Sequence, residues 1–129
     1  MEPSAPKRIL IVDDEEVVRS LCARLLTPSG YIVEVAADGP KALECLAKQT
    51  FDLVLTDYRM PGGIDGLELG QLIKQQYSRM HIVLMTAFPA VDTAVGMLRM
   101  GATDYLIKPF DPAELLKCVD TSFLKPLAE

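Results

Sequence analysis

Three acidic positions dominate what this chain could do chemically: the adjacent pair Asp13 and Asp14, and the single Asp57. Each follows a short apolar, largely β-branched run, Ile9-Leu10-Ile11-Val12 before the pair and Leu53-Val54-Leu55-Thr56 before Asp57. Such runs predict buried parallel strands. The carboxylates then stand at strand carboxyl ends, the edge of an open α/β sheet where ligands bind. Carboxylates converging there repel one another unless a cation neutralises them, and an oxygen-only donor set suits Mg²⁺ rather than zinc or copper. Two further strand ends offer Thr86 and Lys108. A carboxylate acceptor, a divalent-cation pair, a hydroxyl and an ammonium together suit a phosphoryl group. The cation and the ammonium neutralise its equatorial oxygens, and the hydroxyl donates a hydrogen bond.

The elements that must position these groups alternate strand and helix five times. Strand one is expected over Arg8 to Val12, with a helix from Glu15 carrying Val17, Val18, Leu21, Cys22, Leu25 and Leu26 at helical spacing. Pro28 and Gly30 end it. Tyr31 to Ala36 is expected as an edge strand, and Gly39-Pro40 opens the second helix. Strand three is Leu53 to Thr56, and the third helix runs from Asp65 to Gln76, burying Leu69, Leu72 and Ile73. Strand four is Ile82 to Met85, and the fourth helix runs from Ala90 to Met100, closed by Gly101. Strand five is Asp104 to Ile107, and the fifth helix opens with Asp111-Pro112-Ala113-Glu114, an N-cap, a first-turn proline and an acid in capping-box position. Helices between successive strands imply crossovers and a parallel sheet.

At 129 residues the chain is expected to be one domain. It has 13 Lys plus Arg against 18 Asp plus Glu, a net charge of −5, which argues against direct nucleic-acid binding. No apolar run is long enough to span a membrane and no secretory signal is visible, so a cytoplasmic location and no membrane partner are expected. Cys22, Cys45 and Cys118 lack metal-type spacing and are expected as packing thiols in a reducing compartment. His81, the only histidine, has no second ligand near it in sequence and is expected in a packing or surface role.

The segments Ile11-Val12-Asp13-Asp14-Glu15, Leu55-Thr56-Asp57-Tyr58-Arg59-Met60-Pro61, Met85-Thr86-Ala87 and Gly101-Ala102-Thr103-Asp104-Tyr105-Leu106-Ile107-Lys108-Pro109-Phe110 together closely resemble the receiver domain of bacterial two-component response regulators, of the chemotaxis-regulator type. The likeness covers Lys7 to Val119. It implies a flavodoxin-like, doubly wound α/β fold with five parallel strands in order 2-1-3-4-5. Residues 1–6 would be a flexible start, 7–124 the receiver domain, and 125–129 a tail or the beginning of a linker. The resemblance makes Asp57 the phosphoacceptor and Asp13, Asp14, Asp57 and the backbone carbonyl of Arg59 the Mg²⁺ ligands. Lys108 would contact the phosphoryl oxygens, and the Lys108–Pro109 bond would be cis. Thr86 and Tyr105 would be the switch pair, Tyr105 rotating inward. The implied partners are a sensor histidine kinase or a phosphotransfer protein, with a phosphorylation-dependent homodimer through the fourth helix, fifth strand and fifth helix.

Two features depart from that pattern, and other readings of the same residues stand beside it. Asp65-Gly66 stands one residue further from Asp57 than the family pattern has it, so the loop carries an extra residue beside Gly62-Gly63. Gly96 sits inside the expected fourth helix, where glycine costs roughly 1 kcal/mol relative to alanine. Asp13 and Asp14 could simply cap the first helix, which is compatible with metal binding. Other classes are an aspartyl phosphohydrolase of the haloacid-dehalogenase type and a receiver-like binding module that is never phosphorylated. The first needs a second acid two places after its nucleophile, where this chain has Arg59.

Overall fold

The computed structural model describes residues 5–60, 63–87 and 100–127. Five strands, β1 (Arg8–Val12), β2 (Ile32–Ala36), β3 (Leu53–Asp57), β4 (His81–Thr86) and β5 (Asp104–Ile107), form one parallel sheet in the order β2-β1-β3-β4-β5. Helices α1 (Glu16–Leu26), α2 (Gly39–Lys48) and α3 (Gly66–Gln76) and a C-terminal helix (Pro112–Ser122) flank it. The expected fourth helix, Gly96 included, lies outside the described residues except for Met100. So do Pro61 and Gly62 of the lengthened loop, and most of the expected flexible start.

The continuous apolar runs have a direct physical reason. Both faces of a parallel sheet are covered, so a central strand is apolar on both sides along its middle, with polar residues such as His81, Thr56, Asp57 and Thr86 toward its ends. Alternate residues serve different cores. Leu10, Val12, Val54, Ile82 and Leu84 pack on one face with Leu46 of α2, Leu69 and Ile73 of α3, and Met100. Ile9, Ile11, Leu53, Leu55, Val83 and Met85 pack on the other with Cys22 and Leu26 of α1 and Leu115 and Val119 of the C-terminal helix.

Helix starts follow the local chemistry. Asp65 and Asp111 each accept a bond from the backbone N–H three residues on, and Glu68 and Glu114 return it, forming two capping boxes. Asp38 caps α2 by accepting from the Lys41 N–H. Glu15 is the N-cap of α1 rather than its first residue. Tyr31, expected at the start of the edge strand, stands outside β2: its ring stacks on Phe123 and its hydroxyl donates to Asp120. β4 is one residue longer at each end than the apolar run suggested. His81 is buried, shares a 2.9 Å hydrogen bond with the Thr103 hydroxyl and meets Phe123 edge-on, which is the packing role expected of it. Among the described residues no helix is long and apolar enough to cross a membrane.

Gly66 explains why α3 can begin where it does. A Cβ at this position would lie 2.1 Å from the carbonyl oxygen of Asp57, and backbone cannot yield as a side-chain tip can. Its N–H meanwhile donates to the Tyr58 carbonyl at 2.8 Å. The helix is thus seated directly on the backbone of the acidic residue. Gly66→Ala is expected to lower unfolding free energy by about 1–3 kcal/mol, as overpacking does, measured by urea denaturation. A variant as stable as the parent would mean that α3 does not bear on Asp57.

Candidate functional site

The sheet register brings the chemical residues to one edge. Val12 pairs with Ala36 and Thr56, Asp57 with Met85, and Thr86 with Ile107. The ladder then continues one step beyond the strands. The Asp13 N–H donates to the Ala36 carbonyl at 3.2 Å, the Tyr58 N–H to the Met85 carbonyl at 2.8 Å, and the Lys108 N–H to the Thr86 carbonyl at 2.7 Å. The backbone at Asp13, Tyr58 and Lys108 is therefore tied to the neighbouring strand.

Asp13, Asp14 and Asp57 each place one carboxylate oxygen so that all three oxygens lie within 4.8 Å of one another. Their surroundings differ sharply. Asp13 is fully buried, Asp57 is half-buried and Asp14 is exposed. Lys108 reaches into the cluster from the end of β5. Its Nζ donates to Asp13 Oδ2 at 2.6 Å and lies 3.4 Å from Asp57 Oδ1 and 4.0 Å from Glu15 Oε1. Asp13 Oδ1 accepts from the Glu15 N–H at 2.9 Å. The peptide bond between Lys108 and Pro109 is cis, as the resemblance implied.

The electrostatics follow from this crowding. Burial and the neighbouring Asp13 carboxylate push the Asp57 carboxyl up from 3.8 to about 6, against the lowering effect of Lys108. Burial alone pulls the Lys108 ammonium down, but its bond to Asp13 and the charges of Asp13 and Asp57 outweigh that and raise it. So Lys108 stays charged, and Asp57 is the acid that suffers from the lack of further positive charge. The three carboxylates fit a hard divalent cation. The donors are all oxygen, and their spread suits direct contacts to one or two carboxylates and water-bridged contacts to the rest.

Thr86 closes β4 and is buried. Tyr105 on β5 is 43% exposed, as is Ile107 at 44%, so both side chains stand at the surface of the sheet's edge strand. Arg59, whose carbonyl the resemblance made a ligand, is exposed. The three cysteines pack: burial pushes the Cys22 thiol up to about 12 and Cys118 up to about 11, so neither is a thiolate at neutral pH. A groove of about 370 Å³ runs beside the site between Leu21 and Val18 of α1 and Ala87, Lys108 and Phe110. Next to it Val17 stands 77% exposed.

One residue of the site gave no signal in the sequence. Arg19, on α1, donates from Nη1 to the backbone carbonyl of Asp13 at 2.8 Å. An arginine on an amphipathic helix is ordinarily a solvated residue, and only the chain path from β1 into α1 brings this one back to the acidic pair.

A family model described as "Response regulator receiver domain" matches residues 9–120. Among curated relatives, the response regulator protein FleR of Pseudomonas aeruginosa is 39% identical over 112 residues, which are 87% of this chain and 24% of that protein. The regulatory protein AtoC of Escherichia coli is 43% identical over 112 residues, with the same shares of the two chains. This chain therefore spans about a quarter of the length of these relatives. Among solved structures, the chemotaxis protein CheY4 of Vibrio cholerae superposes with a TM-score of 0.87 at 33% identity, covering 92% of this chain and 99% of that one. The receiver domain of NtrX from Brucella abortus gives 0.85 at 32% identity, with the same shares.

The raised Asp57 carboxyl has a measurable consequence in metal-free buffer. In the unfolded chain it ionises near 3.8 and in the fold near 6, so its ionisation costs stability above pH 6 and costs nothing below pH 3.8. A shift of about two units corresponds to roughly 3 kcal/mol, which solvent screening at this half-buried carboxyl reduces to the order of 1–2 kcal/mol. Asp57→Asn is expected to gain that stability at pH 7.5 in EDTA, with the gain fading as pH falls from 6 to 4. Urea denaturation across that range checks it; a gain that grows toward acid would contradict the assignment.

Proposed function

The chain belongs to the response regulator receiver domain family, a signalling module of two-component systems, and on that premise we propose that Asp57 is its phosphoacceptor. The observation that carries this is the convergence at one sheet edge of three carboxylates with one ammonium, Lys108, held 3.4 Å from Asp57. The donor would be a phosphohistidine on a sensor histidine kinase or a phosphotransfer protein. An oxygen of Asp57 attacks the phosphorus, and the donor's N–P bond breaks. The electron pair stays on the imidazole nitrogen, and the product is an acyl phosphate on Asp57. Asp57 is suited to attack because its oxygens are poorly neutralised, whereas both Asp13 oxygens are already engaged by Lys108 and the Glu15 N–H.

Mg²⁺ held by Asp13, Asp14, Asp57 and the Arg59 carbonyl would supply positive charge to the phosphoryl oxygens. Lys108 supplies the rest from the opposite strand. Its bond to Asp13 holds the ammonium at the mouth of the site, and the Thr86 carbonyl fixes its backbone. Since Asp57 lies only half-buried beside an open groove, the donor approaches over α1. There exposed Val17 and Leu21 give it an apolar footing next to an acidic mouth.

The output is a population shift rather than repeated turnover. Thr86 would draw toward the phosphoryl group, and Tyr105, exposed here, would rotate inward behind it. The face that changes would include β5 and the C-terminal helix, where Tyr105 and Ile107 present apolar surface for a second copy or an output partner. We place the protein in the cytoplasm, with its kinase. Residues 7–124 would form the receiver unit.

Treatment with acetyl phosphate and Mg²⁺ should add one phosphoryl group by mass spectrometry, and chelating the metal should suppress it. Asp57→Asn should abolish the gain. An Asp57→Asn protein that gains the same mass at the same rate would place the acceptor elsewhere.

A further inference from the structure

Every polar group of Asp13 is engaged. Its N–H donates to Ala36, its Oδ1 accepts from the Glu15 N–H, its Oδ2 accepts from Lys108, and its backbone carbonyl accepts from Arg19 Nη1 at 2.8 Å. The last of these differs in kind. The carbonyl of Asp13 lies in the plane of the peptide that joins Asp13 to Asp14, so whatever holds that oxygen sets the rotation about both flanking bonds. Those rotations decide where the two carboxylates point relative to each other. The holder is a guanidinium, whose planar fork keeps a fixed direction better than a lysine would. It is itself anchored on the first full turn of α1, where the Arg19 N–H donates to the Glu15 carbonyl at 3.1 Å.

We infer that Arg19 is a positioning residue: through the Asp13 carbonyl it sets the peptide between Asp13 and Asp14 so that both carboxylates face one divalent cation. This rests on the reading that the acidic cluster binds Mg²⁺. Arg19 touches neither the metal nor the phosphoryl group in this role. Its charge acts against its geometry. A cation beside the cluster repels a second cation, so by charge alone its removal would tighten Mg²⁺ binding. By positioning, its removal lets the peptide rotate and loosens Mg²⁺ binding. The sign of the effect therefore separates the two.

Outer partners that orient metal ligands are worth about 10- to 100-fold in metal affinity, and Arg19→Ala is expected to weaken Mg²⁺ binding at the lower end of that range. Affinity is read from the ¹H–¹⁵N shifts of the Asp13 to Glu15 amides on titration with MgCl₂ alone, well below the melting transition. A residue that mattered only for folding would leave the affinity of the folded protein unchanged. Arg19→Lys, which restores a cationic donor without the planar fork, should regain part of the affinity. Asp14→Ala serves as the control and should weaken Mg²⁺ binding by itself. If Asp14→Ala is weakened but Arg19→Ala binds as tightly as the parent or more tightly, the positioning role is overturned and the metal site stands. If Asp14→Ala also binds normally, the acidic cluster is not the metal site and the inference falls with it. Arg19→Lys no tighter than Arg19→Ala would assign the loss to something other than the carbonyl bond, and would also overturn it.

Discussion

Three carboxylates that cannot comfortably share one place are the constraint on which the rest of this structure turns. Their oxygens lie within 4.8 Å of one another, a separation at which each pair of full charges repels by roughly 1 kcal/mol in water and about 3–4 kcal/mol near a protein surface. One ammonium inside the cluster is too little to cancel three negative charges. Lys108 is committed chiefly to the fully buried Asp13, which it meets at 2.6 Å. Breaking that bond would leave a buried charge without a partner, so the pair is fixed in place. Asp57 is left with the weaker contact and the raised carboxyl. The site is thus built short of positive charge, a shortage that a divalent cation would relieve.

The fold tolerates this because the repulsion is confined to one edge. Parallel strands all end on the same side, so a single register places Asp13, Asp57, Thr86 and Lys108 together while both faces of the sheet stay apolar and well packed. The order of the strands puts β1 and β3 side by side at the point where the chain's winding reverses, and the crevice outside their carboxyl ends holds the acids. The opposite edge has a different character. There Lys7, Tyr31, His81 and Phe123 form an aromatic and cationic cluster that ties the end of the C-terminal helix to the starts of the strands. Its ring stacking and hydrogen bonds add stability at the end of the molecule away from the three carboxylates.

Two surfaces leave the acidic edge in different directions. Along α1, Val17 and Leu21 are exposed beside the groove that opens at Lys108. Along β5, Tyr105 and Ile107 are exposed on the outer strand, whose backbone is joined to the site through the bond from Lys108 to the Thr86 carbonyl. The two exposed apolar patches therefore share no side chains.

Much of this was legible in the sequence because the signals were local. The apolar runs ending in Asp13 and Asp57 located β1 and β3 to within a residue, since a strand covered on both faces reads as a near-continuous apolar run. Asp111, Pro112 and Glu114 marked a helix start because a capping box is a contact between near neighbours. The family motifs joined the acids, Thr86 and Lys108 into one site, and their convergence at one sheet edge follows from parallel strands alone. The tertiary structure decided what depends on the path of the chain in space. It separated the Asp13–Asp14 pair into one buried and one exposed acid. It took Tyr31 out of the edge strand to stack on Phe123, more than ninety residues away in the chain. It showed that Gly66 is glycine because α3 rests on the Asp57 backbone, and that Arg19 turns back to hold the peptide between the two acids. A sequence records which groups are present and how far apart they lie along the chain, whereas burial and hydrogen bonding are set by the three-dimensional path between them.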